Sequence, residues 1–194
     1  SPDNRFIGFF AAGKLKKISA SGGNPEAICD APNGRGGTWN QDDVIVFAPT
    51  FDFTGLQKVS AAGGTPSPAT HLDTTRNESN HRWPHFLPDG KHFLYTTQGA
   101  NRTSEYGGSM FVSSLDGSID KLLIKVSSNM AYSRGYLLYV RQKSVLAQPF
   151  DLAKLELSGD ANPVVGKVEY SGDKSRGVFS VSNNGILTYQ VSGN

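Results

Sequence analysis

Three arginines stand among glycines or aromatics, in Gly34-Arg35-Gly36-Gly37, His81-Arg82-Trp83 and Lys174-Ser175-Arg176-Gly177. Guanidinium groups that converge on one point bind carboxylate or phosphate through forked hydrogen bonds. Arg and Trp are also frequent anchors of binding surfaces. Arg35, Arg82, Trp83, His81 and Arg176 are therefore the candidate ligand-binding residues. In the competing reading, Trp39 fills core and the arginines pair with nearby Asp or with backbone carbonyls.

Other chemistry is thinner. His71, His81, His85 and His92 fall in one short stretch, and two of them form His81-x3-His85. On a strand, residues i and i+4 lie about 13 Å apart, too far to share one metal at bonds of roughly 2 Å. No metal site and no cofactor is expected. No Gly-x-Ser-x-Gly elbow occurs, so the serines carry no hydrolase signature. Asp3, Asp42, Asp43 and Asp89 sit at turns, where Asp caps backbone N–H groups. Cys29 lies in the run Ala27–Cys29 and reads as a buried structural thiol. No catalytic residue is assigned, and the chain reads as not an enzyme.

The bulk properties bound the remaining classes. The chain has 194 residues, a formal net charge of +2 and 19% charged residues. That balance argues against a nucleic-acid binder driven by phosphate neutralisation. A single cysteine excludes an internal disulfide framework. No apolar run approaches a membrane span, so no membrane contact is expected. Gly and Pro make up about one residue in six, loop-rich but short of the roughly 25–30% of low-complexity disorder.

The elements that must position the arginines come from a repeat. An Asp/Asn/Gly turn followed by an apolar strand occurs at Ser1-Pro2-Asp3-Asn4, Asn40-Gln41-Asp42-Asp43, Leu87-Pro88-Asp89-Gly90, Ser133-Arg134-Gly135 and Ser182-Asn183-Asn184-Gly185. The spacing averages about 45 residues, the period of four-stranded propeller blades. A strand ending in a Gly turn follows in most units: Lys14–Ser19 before Gly22-Gly23, Leu56–Ser60 before Gly63-Gly64, and Met110–Ser114 before Gly117. Another strand precedes each turn and carries Trp39, Phe86, Tyr132 or Val181. No segment shows sustained helical periodicity. The near-continuous apolar runs Val44–Phe47, Phe93–Tyr95 and Tyr136–Tyr139 suit strands buried on both faces.

These features predict an all-β chain, a β-propeller of four-stranded antiparallel blades, with about 4–5 blades in one segment over 1–194. The approximate repeats are 1–32, 33–77, 78–127, 128–168 and a partial 169–194. The first unit lacks its innermost strand and the last supplies two, which predicts a fragment of a larger propeller. Self-association through open blade edges is possible on that count. The stretches Pro49–Gly55, with Phe51 and Phe53, and Gln98–Gly108, with Arg102, Glu105 and Tyr106, are the long loops where function concentrates.

Ser-Pro-Asp-Asn before an aromatic strand, and Leu-Pro-Asp-Gly-Lys-His-Phe-Leu-Tyr, resemble the bacterial TolB-like (WD-like) propeller repeat. His81-Arg82-Trp83-Pro84, Ala147-Gln148-Pro149-Phe150-Asp151 and Phe179-Ser180-Val181-Ser182 are similar to propeller regions C-terminal to acidobacterial-type serine/threonine kinases and regulators. The resemblance implies a non-catalytic binding or interaction module, the sensory or scaffolding part of a larger bacterial protein. Its partner would be a protein or peptide, or an acidic small ligand, and its location periplasmic or extracytoplasmic. The alternative is an accessory propeller of a prolyl-oligopeptidase-like serine hydrolase whose catalytic domain lies outside this chain.

Overall fold

The computed structural model describes residues 1–51, 53–99 and 107–193. The chain folds as a partial β-propeller. Its first sheet runs β1 (Phe6–Ala11), β2 (Lys14–Ser19), β3 (Glu26–Asp30) in chain order. The second is β4 (Gly37–Trp39), β5 (Val44–Phe47), β6 (Gln57–Ser60), β7 (Ser67–Pro68), and the third β8 (Glu78–Phe86), β9 (His92–Gly99), β10 (Gly108–Ser114), β11 (Asp120–Ile124). The fourth starts with β12 (Met130–Ser133), β13 (Tyr136–Arg141) and β14 (Ser144–Asp151). There β14 is long enough to pair first with β15 (Glu156–Leu157) at its far end and then with β16 (Asn162–Val165). Two ribbons close the chain: β17 (Tyr170–Ser171) with β18 (Arg176–Gly177), and β19 (Phe179–Val181) with β20 (Leu187–Tyr189). All strand pairings in these sheets are antiparallel, as short hairpin connections require. The only helical turn among the described residues is a 3-10 turn at Thr74–Arg76, capped by the Asp73 carboxylate accepting from the Thr75 N–H.

Alternation along the second strand of each sheet decides which sheets stack. Successive residues of a strand point to opposite faces. Ile45 and Phe47 join Leu15, Ile28 and Val59 against the first sheet, while Val46 and Ala48 join Phe93, Tyr95 and Phe111 against the third. Leu94 faces the other way, with Met110, Leu137 and Tyr139, and Leu138 and Val140 pack on Val168 beyond. Continuous apolar runs thus supply two interfaces at once. At the ends this logic fails: Ile7 on β1 is 56% exposed and Val191, after β20, 57%.

The innermost strands β4, β8, β12 and β19 stand side by side around the ring axis. Each starts at one end of the axis and runs into an Asp/Asn/Gly turn at the other. Their leading segments carry Arg35, Glu78–Arg82, Ser127–Asn129 and Arg176. Cys29 is half-buried, and burial pushes its thiol pKa up, which suits an unreactive side chain.

Candidate functional site

At the leading end of the inner strands, residues far apart in sequence meet on Trp83. Its N–H donates to the Arg35 carbonyl at 3.0 Å, and its indole Nε1 donates to the Lys174 carbonyl at 2.8 Å. The Arg176 guanidinium lies 5.3 Å from the indole ring centroid. Gly36, at φ +92°, closes on the ring: a Cβ there would be 2.8 Å from Trp83 Cε3. Trp83 itself has φ +54°, at a break in the β8–β9 register between Arg82 and His85. A bulky residue at positive φ costs roughly 1–3 kcal/mol and persists where its surroundings hold it. The break sets the indole against Gly36, Arg176 and the Lys174 carbonyl.

Arg35 is held in a similar way, its guanidinium 5.5 Å from the Phe51 ring centroid. Its Nε is enclosed by protein and has no hydrogen-bond partner. Among the described residues no carboxylate pairs with Arg35 or Arg176. Two guanidinium groups are therefore stacked on aromatics, with their N–H edges left for an acceptor.

The other two candidates point into protein. Arg82, 2% exposed, donates from Nε to Asn80 Oδ1 at 2.7 Å and from one terminal nitrogen to the Asp173 carbonyl at 3.3 Å. Asn80 donates to Gln98 Oε1, Gln98 donates to Ser175 Oγ, and the Ser127 and Ser175 hydroxyls meet at 2.6 Å. His81, fully buried, sits between Thr70 Oγ1 (2.7 Å, at Nδ1) and Glu78 Oε2 (3.0 Å, at Nε2). A carboxylate only accepts, so Nε2 carries a proton and donates to Glu78, while the Thr70 hydroxyl holds Nδ1. Burial pushes the Glu78 carboxyl up, but the His81 hydrogen bond, the Asp73 N–H and Arg76 hold it below the ordinary range. The order hydroxyl, imidazole, carboxylate is that of a nucleophilic triad. Here the Thr70 hydroxyl is buried and already accepts the Leu56 N–H, so the chain holds structure. Arg82 and His81 thus hold the frame on which Trp83 is set. The Asp173–Ser175 loop is fixed by the same network, and it carries Arg176.

The opposite end of the axis holds a cavity of about 820 Å³, reached by Thr38, Trp39, His85, Phe86 and Tyr132. His85 is partly reachable from it, and burial lowers its imidazole to about 4, against a hydrogen bond to the Tyr132 backbone. His71 and His92 lie elsewhere, His92 bonded to Asp89 at 2.6 Å. Among the described residues no group of three or more His, Cys, Asp or Glu is placed to hold a metal ion. No helix among them is long and apolar enough to cross a membrane. Of the long loops, Phe53 is exposed while Phe51 lies under Arg35. Arg102, Glu105 and Tyr106 lie outside the described residues.

Ser175 and Gln98 lie in stretches singled out above, but the polar types of Gln98, Ser127 and Ser175 did not mark them as one network, because their convergence depends on how the sheets stack. Gly36 and the Trp83-Pro84 pair were the readable hints, since both mark broken backbone regularity.

No family model matches the chain, and no curated protein matches it. Solved structures do. Regucalcin, a calcium-binding protein from Agrobacterium tumefaciens, superposes with a TM-score of 0.71 at 14% identity, over 97% of this chain and 64% of that one. A luciferin-regenerating enzyme gives 0.71 at 14%, over 98% and 66%. A putative gluconolactonase gives 0.70 at 14%, over 98% and 69%. The chain thus spans less than two thirds of the regucalcin chain, in keeping with a partial ring. At such identity the likeness shows the fold alone. It nevertheless corrects the expectation of a non-catalytic module and of a protein that is not an enzyme. That expectation rested on the missing catalytic motifs and on the resemblance to kinase- and regulator-associated propellers, whereas two of these similar scaffolds are named as enzymes. A rigid ring that gathers side chains on one axis serves chemistry as well as recognition. What the comparisons establish is a β-propeller, present in part.

Proposed function

We propose that this partial propeller holds a small dianionic molecule, a dicarboxylate or a phosphate ester, at the arginine end of its axis. The observation that carries this reading is the pair of guanidinium groups stacked on aromatics, Arg35 on Phe51 and Arg176 on Trp83, joined through the Trp83 N–H donating to the Arg35 carbonyl. An anion accepts from the terminal N–H groups that these two stacked guanidinium groups leave unpaired, through charge-assisted hydrogen bonds. Aromatic stacking fixes both groups beforehand, so little rotamer freedom is lost on binding. The ligand is the substrate or effector of a larger bacterial protein. The Ser1–Asn4 and Leu87–Tyr95 runs support the finer reading as a TolB-like repeat, and with it an extracytoplasmic location.

Calorimetric titration with succinate, glutarate and inorganic phosphate at pH 7 and low salt tests it. Saturable binding of at least one is expected. Arg35→Ala and Arg176→Ala should each weaken it about ten-fold, equivalent to about 1.4 kcal/mol, with the thermal midpoint unchanged. Absence of binding, or binding indifferent to both substitutions, overturns the reading.

A further inference from the structure

We infer that the arginine end takes an extended acidic polypeptide segment, laid from the axis outward over the fourth sheet. The inference rests on the small-anion reading for the inner end of that segment and adds the partner to it. Strand direction fixes where the outer end lies. β12 runs away from the leading end, so β13 returns to it and brings the Gln142-Lys143 turn there, between Arg141 and Ser144. β16 is antiparallel to β14 and also ends there, with Val165 opposite Val145. The Val168 N–H donates to the Lys143 carbonyl at 2.8 Å, which sets Lys167 beside Lys143. On the axis side, Gly177 closes on β13, and a Cβ on it would overlap Val140 Cγ2. Arg176 and Arg141 are the chain neighbours of these two residues. Arg35, Lys174 and Arg176 meet on Trp83, and the row of cations continues through Arg141 and Lys143 to Lys167.

The chemistry of the row selects its occupant. Among the described residues no carboxylate forms an ion pair with any of these six cations. The acidic residues of the same stretch are Glu169 and Asp173, and the Asp173 carboxylate already accepts from the Ser171 hydroxyl. Arg141 repeats the arrangement at the axis, its guanidinium 5.9 Å from the Tyr139 ring centroid. Three guanidinium groups thus lie on aromatic rings, where they are held ready for carboxylates. They also take up ring faces that a nucleic-acid groove would offer to bases. Lys143 and Lys167 are exposed and stand at φ +57° and +56°, a region that glycine or asparagine occupies with less strain. An extended chain brings alternate side chains to one side about 7 Å apart. Asp or Glu at alternate positions therefore presents one carboxylate after another along such a row.

Fluorescence anisotropy with labelled octaglutamate and octaglutamine at pH 7 tests this. Octaglutamate should bind saturably and weaken as salt screens the exposed charges, and octaglutamine should not bind. Lys143→Ala with Lys167→Ala should weaken octaglutamate about ten-fold and leave the calorimetric titrations with succinate and phosphate unchanged, whereas Arg176→Ala should weaken both kinds of ligand. Lys91→Ala with Lys154→Ala removes the same charge at the opposite end of the molecule and should change neither. If octaglutamate fails to bind while succinate or phosphate binds, the extended segment is overturned and the small-anion site stands; if none of the three binds, both are overturned. Equal weakening by the two double variants reduces the binding to net charge and overturns the proposal. Tighter binding of an oligothymidylate of the same length assigns the row to nucleic acid and overturns it too.

Discussion

His85 and His81 sit four residues apart on one strand and meet opposite fates. His81 is buried between a hydroxyl and a carboxylate, whereas His85 borders a cavity and bonds to the Tyr132 backbone. Burial lowers the His85 pKa from 6.5 to about 4. The unfolded chain therefore binds more protons than the folded one between these values, and stability falls as pH drops from about 6.5 toward 4. The loss attributable to this group is at most about 3 kcal/mol, reduced by its partial access to solvent. Urea midpoints measured from pH 7 to pH 4 should drop steeply in the native protein and less in His85→Phe. Identical slopes would show that His85 titrates elsewhere. At Gly36 the expected effect is steric. Ala there meets the Trp83 ring at 2.8 Å and its Cα at 3.1 Å, and must adopt φ +92°. Gly36→Ala should cost roughly 1–3 kcal/mol and lower the thermal midpoint by about 2–4 °C per kcal/mol. It should also change Trp83 fluorescence, which a distant Gly117→Ala control should leave alone.

At the scale of an element, β8 is unusual. Its first five residues, Glu-Ser-Asn-His-Arg, are all buried and all polar. Such a strand is stable only when every group is satisfied, and here Gln98, Thr70, Arg76 and the Asp173 carbonyl satisfy them. Removing one partner leaves the others buried and unpaired. Glu78→Gln should therefore cost about 1.5–3 kcal/mol at pH 7, read as a lower denaturation midpoint. The Glu78 carboxyl is held below its ordinary 4.5, so its contribution is present above that value and is lost as pH falls below it. The substituted protein should lose less stability than the native one below pH 4.5. A midpoint unchanged at pH 7 would mean that β8 is held by its sheet pairing alone.

At the scale of the molecule, both ends of the partial ring expose apolar strand surface. Ile7 on β1 and Ile186, Tyr189 and Val191 around β20 are the outlying large apolar side chains of the terminal sheets. Open, apolar edges favour edge-to-edge pairing. The sedimentation coefficient should rise with protein concentration, and Ile7→Lys with Val191→Lys should suppress the rise while changing the unfolding free energy by no more than about 0.5 kcal/mol. An association unaffected by both would place self-contact on another surface.

Much of the architecture was legible because it is written locally. The turns at Asp43, Gly90 and Gly185 and the apolar runs after them recur at blade spacing, and a strand buried on two faces needs an unbroken apolar run such as Val44–Phe47. The site was legible in residue type only. Arg35, Trp83 and Arg176 lie together in space, but nothing in residue type tells them from Arg82 and His81, which turn inward. That distinction depends on a register break at Trp83 and on a loop 91 positions away whose carbonyls anchor both Arg82 and the Trp83 indole. The amino-acid sequence by itself determined the repeat, the strand order and the two-faced core, because these follow from periods of two residues and about 45. Only the tertiary structure decided which guanidinium groups remain open to a ligand, because that depends on which acceptors the stacked sheets bring within hydrogen-bond reach.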